Sequence, residues 1–395
     1  MRILFVHNNY ASNNSGEEHA SQGLANLLTR NGHDVRWYRK SSDTIKGSLT
    51  KKIKAFFLGI YNPYSIKELK NEIIDFNPDI IQVQNLYPFI SPAILPMINK
   101  MNIPVVMRCP NYRLFCPNGL HLQPKGKVCE KCLKGLREIN AVSNNCEKNY
   151  FKSTGYALRN FIARKFWKLN HNMDGYIVQS RFQKQKFIDN GIDPKKLHIL
   201  PGLTPKLTTN QNSEIGYYVS FVGRVSVEKG IIEFLNVAKE LPELKFAVVG
   251  SFHPSLKYLK VNSTKNVLWT GFLSGKKLDE FYQKSKIIVV PSKWYEGFPN
   301  VITRAMKHGK PVVSSNIGAM KSIIEHNNDG ILVDPGNIEQ LKIAIKELYY
   351  DDKKCIFLGR NGKNKAKKNF DNKVIYKKLI ETYKNIIKKK IRHAI

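Results

Sequence analysis

Two basic side chains and two glycines share a ten-residue segment that could hold phosphate groups. In Phe221-Val-Gly-Arg-Val-Ser-Val-Glu-Lys-Gly, an apolar run ends at Gly223, Arg224 and Lys229 follow, and Gly230 opens an amphipathic stretch. Positive side chains beside the free N–H groups of a helix start suit a diphosphate. The segment therefore predicts a diphosphate site. An ordinary strand-to-helix turn with surface charges is the alternative, because short motifs also match by chance.

A second segment supplies a carboxylate in a similar setting. The stretch Pro-Ser-Lys-Trp-Tyr-Glu-Gly-Phe-Pro-Asn places Glu296 and Gly297 after the apolar run Ile287–Val290 and before a helical pattern that starts near Asn300. A carboxylate accepts hydrogen bonds from sugar hydroxyls, and a glycine lets the backbone approach a ligand closely. The alternative role of Glu296 is that of an acid capping the helix.

Short apolar runs alternating with amphipathic stretches must position these side chains. Strands are predicted at Ile3–His7, Val35–Tyr38, Ile80–Val83, Val105–Met107, Gly175–Gln179, Tyr217–Val222, Lys245–Val249, Val267–Thr270, Ile287–Val290, Pro311–Ser314 and Ile331–Val333. Helices are predicted at Glu18–Asn31, Ile66–Phe76, Gly230–Glu240, Leu278–Ser285, Pro299–His308, Ile338–Tyr350 and Val374–Lys390. Such alternation of strands and helices is typical of an α/β fold with parallel sheets. A chain of 395 residues is too long for one ordinary core. We therefore expect two doubly wound parallel-sheet domains that face a central cleft, because ligands bind at the carboxyl ends of such strands.

Breaks in this alternation give the expected domain boundaries. The first domain is assigned to residues 1–200, with a cysteine-rich insertion at about 108–150, and the polar segment 201–214 is the predicted linker. The second domain is assigned to residues 215–373. A basic helix at 374–395 ends the chain and could pack back on the first domain.

Four of the six cysteines have a spacing that suits a metal ion. Cys116, Cys129, Cys132 and Cys146 give C-x12-C-x2-C-x13-C inside the insertion, and a C-x2-C pair with two further thiols matches the ligands of tetrahedral structural zinc. Such a zinc would order a segment that has no evident core of its own. Reduced structural thiols are the alternative, whereas disulfides are disfavoured in the cytosol.

The composition is strongly basic, with 64 Lys and Arg against 31 Asp and Glu and a formal net charge of +33. Such a field attracts polyanions. Aromatic residues are not interleaved with Arg as in nucleic-acid-binding modules, so an anionic membrane is the expected partner and nucleic acid is not. A merely solvated basic surface is the alternative.

The apolar runs are too short to span a bilayer, and the N-terminal run lacks a cleavage site. The expected location is the cytoplasm, peripherally at the inner face of the plasma membrane. The sequence contains no G-x-G-x-x-G fingerprint, H-E-x-x-H or Walker motif, and the first of these absences argues against a dehydrogenase.

Taken together, the motifs resemble those of glycosyltransferase family 4. The resemblance rests on Phe-Val-Gly-Arg…Glu-Lys-Gly from Phe221, on Pro-Ser…Glu-Gly-Phe-Pro-Asn-Val…Ala-Met…Gly-Lys-Pro-Val-Val from Pro291, and on Asp-Gly-Ile-Leu-Val-Asp-Pro-Gly from Asp329. Their order and spacing match over nearly the whole chain. The resemblance implies a GT-B fold of two Rossmann-like domains. It also implies a retaining transfer from a UDP or GDP sugar without a catalytic cofactor or metal.

The resemblance also assigns roles to individual residues. Arg224 and Lys229 would hold the donor diphosphate and stabilise the charge on the leaving nucleotide, while Glu296 would contact the donor sugar. The acceptor would lie against the first domain near Asn111, Tyr112 and Arg113. Further donor contacts would come from Gly16 in the loop Ser15-Gly16-Glu17, Gly223, Phe272, Leu273, Gly297, Phe298, Pro299, Asn300 and Arg304.

Three positions depart from the pattern of the family. Arg304 stands eight residues after Glu296, where a second Glu usually binds the ribose, and an arginine cannot accept a hydrogen bond. It could instead pair with Glu296 or bind a phosphate or an acidic sugar. Pro110 replaces a histidine, and Ser322 replaces an acidic residue. An altered donor, low activity or an inactive homologue is therefore an open alternative.

The expected function is transfer of a hexosyl group to an acceptor hydroxyl, on a lipid-linked glycan for a bacterial surface polysaccharide such as capsule or lipopolysaccharide. A catalytically silent homologue that binds nucleotide sugar or glycan as a scaffold is one alternative, favoured by Pro110 and Arg304. A basic nucleic-acid-binding protein is the other, and only the net charge supports it.

Overall fold

Two compact units make up the described part of the chain, which in this computed structural model comprises residues 1–10, 16–45, 48–208, 215–252 and 254–392. Unit 1 is drawn from residues 1–124, 129–203 and 375–395, and unit 2 from residues 125–128 and 204–374. Each unit has its own sheet and apolar core. Ser15 of the predicted glycine loop and residues 209–214 of the predicted linker lie outside the described residues.

Unit 1 is built on a parallel sheet of β1 (Arg2–Asn9), β2 (Asp34–Ser41), β3 (Ile80–Asn85), β4 (Val105–Arg108), β5 (Gly175–Val178) and β6 (Leu197–Ile199). The strand order is β2-β1-β3-β4-β5-β6. Every residue of β3, β4 and β5 is buried, as in strands covered by helices on both faces. The helices are α1 (Gly16–Arg30), α2 (Leu49–Ile60), α3 (Pro63–Phe76), α4 (Ile94–Lys100), α5 (Ile139–Ser143), α6 (Tyr150–Lys165), α7 (Leu169–Asn172) and α8 (Arg181–Asp189).

Unit 2 repeats this architecture with β7 (Tyr218–Val222), β8 (Lys245–Val249), β9 (Val267–Gly271), β10 (Ser285–Val290), β11 (Val312–Ser315) and β12 (Ile331–Val333). The order β12-β11-β10-β7-β8-β9 is that of a Rossmann fold read from one edge. The remaining helices are α9 (Ile231–Glu240), α10 (Tyr258–Val261), α11 (Gly275–Lys284), α12 (Asn300–Lys307), α13 (Met320–Ile323), α14 (Ile338–Tyr350), α15 (Asp352–Asn369) and the C-terminal α16 (Asn372–Arg392).

The C-terminal helix α16 lies largely in unit 1. Its buried residues Ile375, Leu379, Tyr383 and Ile386 share an apolar core with β1. A Cβ on Gly175 of β5 would lie 2.6 Å from the Ile386 side chain, so the glycine lets the helix pack closely on the sheet. The helix α16 thus completes the apolar core of unit 1, to which β1 also belongs.

The predicted fold class, with two doubly wound parallel sheets, is confirmed. The predicted strands match the observed ones to within three residues at each end. The strand β6 and the helices α2, α4, α5, α6, α7, α8, α10, α13 and α15 are additions that the apolar pattern did not predict. Among the described residues, no helix combines the length and the apolar character needed to cross a bilayer.

Candidate active site

The two motifs found in the sequence meet at the centre of the unit 2 sheet. From β7 the chain continues to β8 and β9 on one side, and from β10 it continues to β11 and β12 on the other. The crevice where a parallel sheet reverses its order in this way is the usual ligand site of the fold. The segment with Arg224 and Lys229 follows β7 directly, and the segment with Glu296 follows β10.

A glycine brings these two segments into contact. Gly230 adopts a left-handed φ of 78°, and a Cβ there would lie 2.0 Å from the backbone oxygen of Pro291. Any other residue would push the start of α9 away from the loop after β10. The amide of Lys293 also donates to the Glu228 carbonyl oxygen at 2.9 Å, so the two loops are joined through their backbones.

The joined loops place Lys229 against Glu296. The Lys229 Nζ lies 2.7 Å from Glu296 Oε2, and the buried Ser292 hydroxyl donates a short hydrogen bond to Oε1. The Glu296 side chain is 7% exposed and that of Lys229 is 23% exposed, so one edge of the pair remains open to a ligand. A phosphate bound by Lys229 would compete for its ammonium group and leave one carboxylate oxygen of Glu296 to accept a hydroxyl.

Two further contacts of this cluster were not predicted. Arg224 donates to Glu228 at 2.7 Å, and its side chain is 57% exposed, so it lies at the rim of the loop. The Lys229 ammonium lies 5.6 Å from the centre of the Trp294 ring. The Trp294 indole nitrogen is buried without a hydrogen-bond partner among the described residues, and it leaves a donor beside Lys229. Trp294 lies inside the second motif, but nothing in the sequence indicated that its side chain would contact Lys229.

The residues after Glu296 form the entry to α12. Pro299 occupies the N-cap position, and α12 starts at Asn300, so the first N–H groups of this helix have no partner within it. Pro299 and Val301 line a small pocket together with Lys229, Ser292 and Glu296. Gly297 lies in the connecting loop, while Phe298 packs inward against Phe370 with ring centres 5.8 Å apart. Free N–H groups beside a cation are suited to an anion.

Phe272 and Leu273 follow the edge strand β9, two strands away from β7. Phe272 is 72% exposed, whereas Leu273 packs partly against the core at Phe281. Gly223 ends β7 with a φ of 145° and has open space where a Cβ would lie. Apart from Gly16 in unit 1 and Arg304 on α12, the predicted donor residues thus lie along the carboxyl edge of the unit 2 sheet without forming a single contact cluster.

Arg304 has a different partner from the one considered in the sequence. Its Nε and Nη2 donate to Oδ1 of the fully buried Asp279 at 3.1 and 2.7 Å. His308 contacts the same oxygen at 2.9 Å, and Thr208 donates its amide and hydroxyl to Oδ2. A salt bridge between Arg304 and Glu296 is therefore not what the structure contains. Arg304 is tied to the interior of unit 2.

In unit 1, two of the three residues expected on the acceptor side line a pocket whose empty space, about 660 Å³, includes part of the open solvent at its mouth. These are Asn111 and Arg113, which follow β4. Tyr112 is 1% exposed, and its ring packs edge-on against His121 in the core, so it does not line the pocket. Gly16 starts α1 without a left-handed φ, and the space that a Cβ would fill there is open. Its backbone does not require glycine.

Comparison with known proteins places this geometry in a family. Residues 16–202 match the family described as Glycosyltransferase Family 4, and residues 208–365 match the family described as Glycosyl transferases group 1. The chain belongs to glycosyltransferase family 4. The resemblance found in the motifs is therefore confirmed, and the chain is a glycosyltransferase.

Relatives of this glycosyltransferase include an uncharacterised protein and a glycosyltransferase of capsule synthesis. An uncharacterised 42.6 kDa protein in the cps region of Klebsiella pneumoniae is 29% identical over 291 residues, which cover 70% of this chain and 69% of that protein. The capsular polysaccharide biosynthesis glycosyltransferase CapM of Staphylococcus aureus is 26% identical, over 54% of this chain and 55% of its own length. The match therefore spans little more than half of CapM.

A solved structure of the same fold is HepE of Anabaena in complex with UDP. It superposes with a TM-score of 0.67 at 17% identity and covers 98% of this chain and all of its own. A likeness at this identity concerns the fold, and it confirms the GT-B fold for this family 4 glycosyltransferase.

The cysteine-rich insertion of this glycosyltransferase lies between β4 and α6. Burial and the neighbouring thiols of Cys116, Cys146 and Cys129 raise the pKa of the Cys132 thiol, so the four sulfurs lie in one neighbourhood. All four are free thiols. Within the described ranges, no group of three or more His, Cys, Asp or Glu side chains is arranged to hold a metal ion. The zinc site stays a prediction.

Proposed function

We propose that this chain is a retaining glycosyltransferase that moves a hexosyl group from a nucleoside diphosphate to an acceptor hydroxyl. The observation that carries the proposal is the cluster of Lys229, Glu296 and Ser292 at the sheet reversal of unit 2. The family membership and the capsule relatives support a lipid-linked glycan of a surface polysaccharide as the acceptor. UDP is the first nucleotide to test, because HepE of the same fold was solved with UDP.

Each side chain of the cluster has a part in the proposed reaction. Lys229 and the rim residue Arg224 bind the diphosphate and stabilise the negative charge that grows as the nucleotide leaves. The N–H groups at the start of α12 face the same anion. Glu296, held by Ser292, accepts a hydrogen bond from a donor-sugar hydroxyl. The departing phosphate oxygen takes the proton of the acceptor hydroxyl, so no histidine is needed at Pro110.

We also propose that the enzyme works at an anionic membrane surface. The adjoining helices α2 and α6, which pack through Phe56 and Gly155, expose large apolar side chains. Phe57 is 62% exposed and Phe151 is 92% exposed, while Lys51, Lys52 and Lys54 are exposed on the same α2 helix. Apolar groups beside lysines suit an interface with anionic lipid. A lipid-linked acceptor would then be reached at the surface that holds it.

The donor assignment is tested by thermal unfolding with UDP, GDP and their sugars. One nucleotide series should raise the melting temperature of the wild type, since a ligand of the folded state stabilises it. Lys229→Ala should remove the rise, whereas Lys239→Ala, at an exposed position of α9, should keep it. If nothing in the panel shifts the wild type, the donor site is refuted. Binding without transfer to any acceptor would support the silent homologue instead.

The membrane assignment needs a separate measurement. Flotation with vesicles of phosphatidylglycerol should retain the wild type more strongly than vesicles of phosphatidylcholine, and salt should weaken the retention. Phe151→Ser should reduce it. Tyr258→Ser removes a half-exposed ring from unit 2 and serves as the control. Equal retention of both variants would refute the proposed surface.

A further inference from the structure

The unit 1 pocket has a charge pattern that the proposed transfer does not use. It lies at the carboxyl ends of β3 and β4, beside the start of α1. Three arginines line it, Arg108 at the end of β4, Arg113 in the following loop and Arg164 on α6, and its one acidic side chain is Glu17. Arg164 is neutralised by a two-point contact with Glu138 at 2.8 and 2.9 Å. The unbalanced charge therefore belongs to Arg108 and Arg113.

Arg108 is the unusual member of this set. It is 6% exposed, and its Nη1 atom is buried without a hydrogen-bond partner among the described residues. No ion pair within the described ranges includes Arg108. Buried guanidinium groups are normally paired, because leaving one without a partner is costly. Because Arg108 also lines the pocket, an acceptor group bound there would lie beside its incompletely bonded guanidinium.

Glu17 does not supply that acceptor. Its carboxylate oxygen Oε2 accepts a hydrogen bond from the Tyr10 hydroxyl at 2.9 Å, and Arg113 donates to the same hydroxyl at 3.3 Å. Burial raises the pKa of Glu17, although the charges of Arg113 and Arg108 oppose the rise. A single carboxyl group cannot balance the charges of two arginines. The Arg113–Tyr10–Glu17 chain thus holds Arg113 in place and leaves the pocket cationic.

We propose that this pocket binds an oxyanion, a phosphate or a carboxylate, carried by the acceptor. The guanidinium of Arg108 would donate to the oxyanion, and Arg113 would face it from the loop after β4. A planar fork of N–H groups is well suited to either anion. That the oxyanion belongs to the acceptor rests on the proposed function. That unit 1 binds an oxyanion does not.

Binding is measured by calorimetry at constant ionic strength with three probes: inorganic phosphate, methyl glucuronide and the neutral methyl glucoside. The variants carry Lys229→Ala, so that unit 2 does not take the phosphate. Arg108→Gln should weaken the preferred anion at least tenfold, and Arg181→Gln, an exposed arginine of α8, should leave the Kd unchanged. The probe with the lower Kd shows whether the oxyanion is a phosphate or a sugar carboxylate.

The stability of Arg108→Gln separates a ligand-binding role from a structural one. Removal of a buried unpaired charge should leave the melting temperature unchanged or raise it, whereas a structural arginine would lower it. If Arg108→Gln does not fold, Arg108→Lys, which keeps the charge and loses the fork, is used in the same titration. Equal binding of anion and glucoside, or an unchanged Kd in the Arg108 variant, overturns the proposal. If unit 1 binds the anion but no nucleotide shifts the melting temperature of the wild type, the donor site alone is refuted.

Discussion

Replacement of Arg304 by Glu, the residue usual at this position in the family, should severely destabilise unit 2. The side chain of Arg304 is 13% exposed, and it pairs with the fully buried carboxylate of Asp279. A glutamate would place a second carboxylate against the first in a dry environment. The replacement would therefore restore the family pattern at the expense of the fold.

The magnitude follows from the burial of the pair. Breaking a buried ion pair costs about 3–5 kcal/mol, because the remaining charge loses its partner. Arg304→Gln should fall near the lower value, since Thr208 and His308 still bond to Asp279. Arg304→Glu adds repulsion between like charges and should reach or exceed the upper value. The expected difference between the two variants is thus about 2 kcal/mol or more.

The pairing of Arg304 with Asp279 also makes the folding stability depend on pH in the acid range. Burial alone would raise the pKa of Asp279, but the hydrogen bonds from Thr208, Arg304 and His308 outweigh it and lower the pKa to about 2. The unfolded chain takes up this proton at a higher pH than the folded one. The corresponding stability, about 2 kcal/mol, is present above pH ~4 and is lost as the pH falls towards 2. Arg304→Gln should reduce this loss.

Urea unfolding of the full chain, followed by fluorescence, provides the assay. Arg304→Gln, Arg304→Glu, Asp279→Asn and the Arg304→Gln/Asp279→Asn double variant form a cycle, with Arg360→Gln on the exposed side of α15 as the control. The cycle should give a coupling energy of at least about 1 kcal/mol between the two residues. If Arg304→Glu unfolds at the same urea concentration as Arg360→Gln, the structural role assigned to Arg304 is refuted.

Three other regions give expectations of their own. Gly230→Ala should cost more stability than Gly271→Ala in urea unfolding, because both glycines have a left-handed φ but only the first Cβ would meet a backbone oxygen, at 2.0 Å. Emission spectrometry should find about one zinc per purified chain, lost in Cys129→Ser and kept in Cys355→Ser. Burial lowers the pKa of His7 to about 4, so the unfolded chain takes up this proton at a higher pH than the folded chain. The free energy of unfolding should therefore fall by up to about 3 kcal/mol as the pH drops from about 6.5 to 4. His7→Asn should make the free energy of unfolding less dependent on pH in this range. The first expectation is contradicted if the two glycine variants lose the same stability, and the second if the folded protein contains no zinc. The third is contradicted if His7→Asn leaves the pH dependence of stability unchanged.

Apolar periodicity predicted every strand of the two sheets except β6, because strands buried on both faces read as continuous apolar runs. It did not predict α15, and the packing of that helix explains why. α15 buries Gly359 and Gly362, and a Cβ on Gly359 would lie 2.1 Å from the backbone oxygen of Gly309. Glycine is a weak helix former. The close contact that requires glycine therefore removes the apolar pattern by which a helix is normally predicted.

The candidate site was predictable in its residues and not in its contacts. Lys229 and Glu296 stand in separate motifs, and each motif alone suggested its chemistry. Their direct pairing depends on the approach of Gly230 to the loop after β10, which is a contact between distant parts of the chain. The unpaired nitrogen of Arg108 depends in the same way on burial by several elements. Local sequence carries no information on either feature.

Arg304 shows how these long-range contacts change the meaning of a substitution. By position it replaces a ribose-binding acid, and this suggested a weakened donor site. In the structure it joins Asp279, which in turn holds the segment entering unit 2 through Thr208 at 2.9 and 2.7 Å. Lys229 and Glu296 are positioned by other contacts, with Gly230 and Ser292. Stability and donor binding should therefore separate: Arg304→Gln should lower the urea midpoint while the shift of the melting temperature by the preferred nucleotide remains. A variant with normal stability and no nucleotide shift would make Arg304 a donor ligand after all.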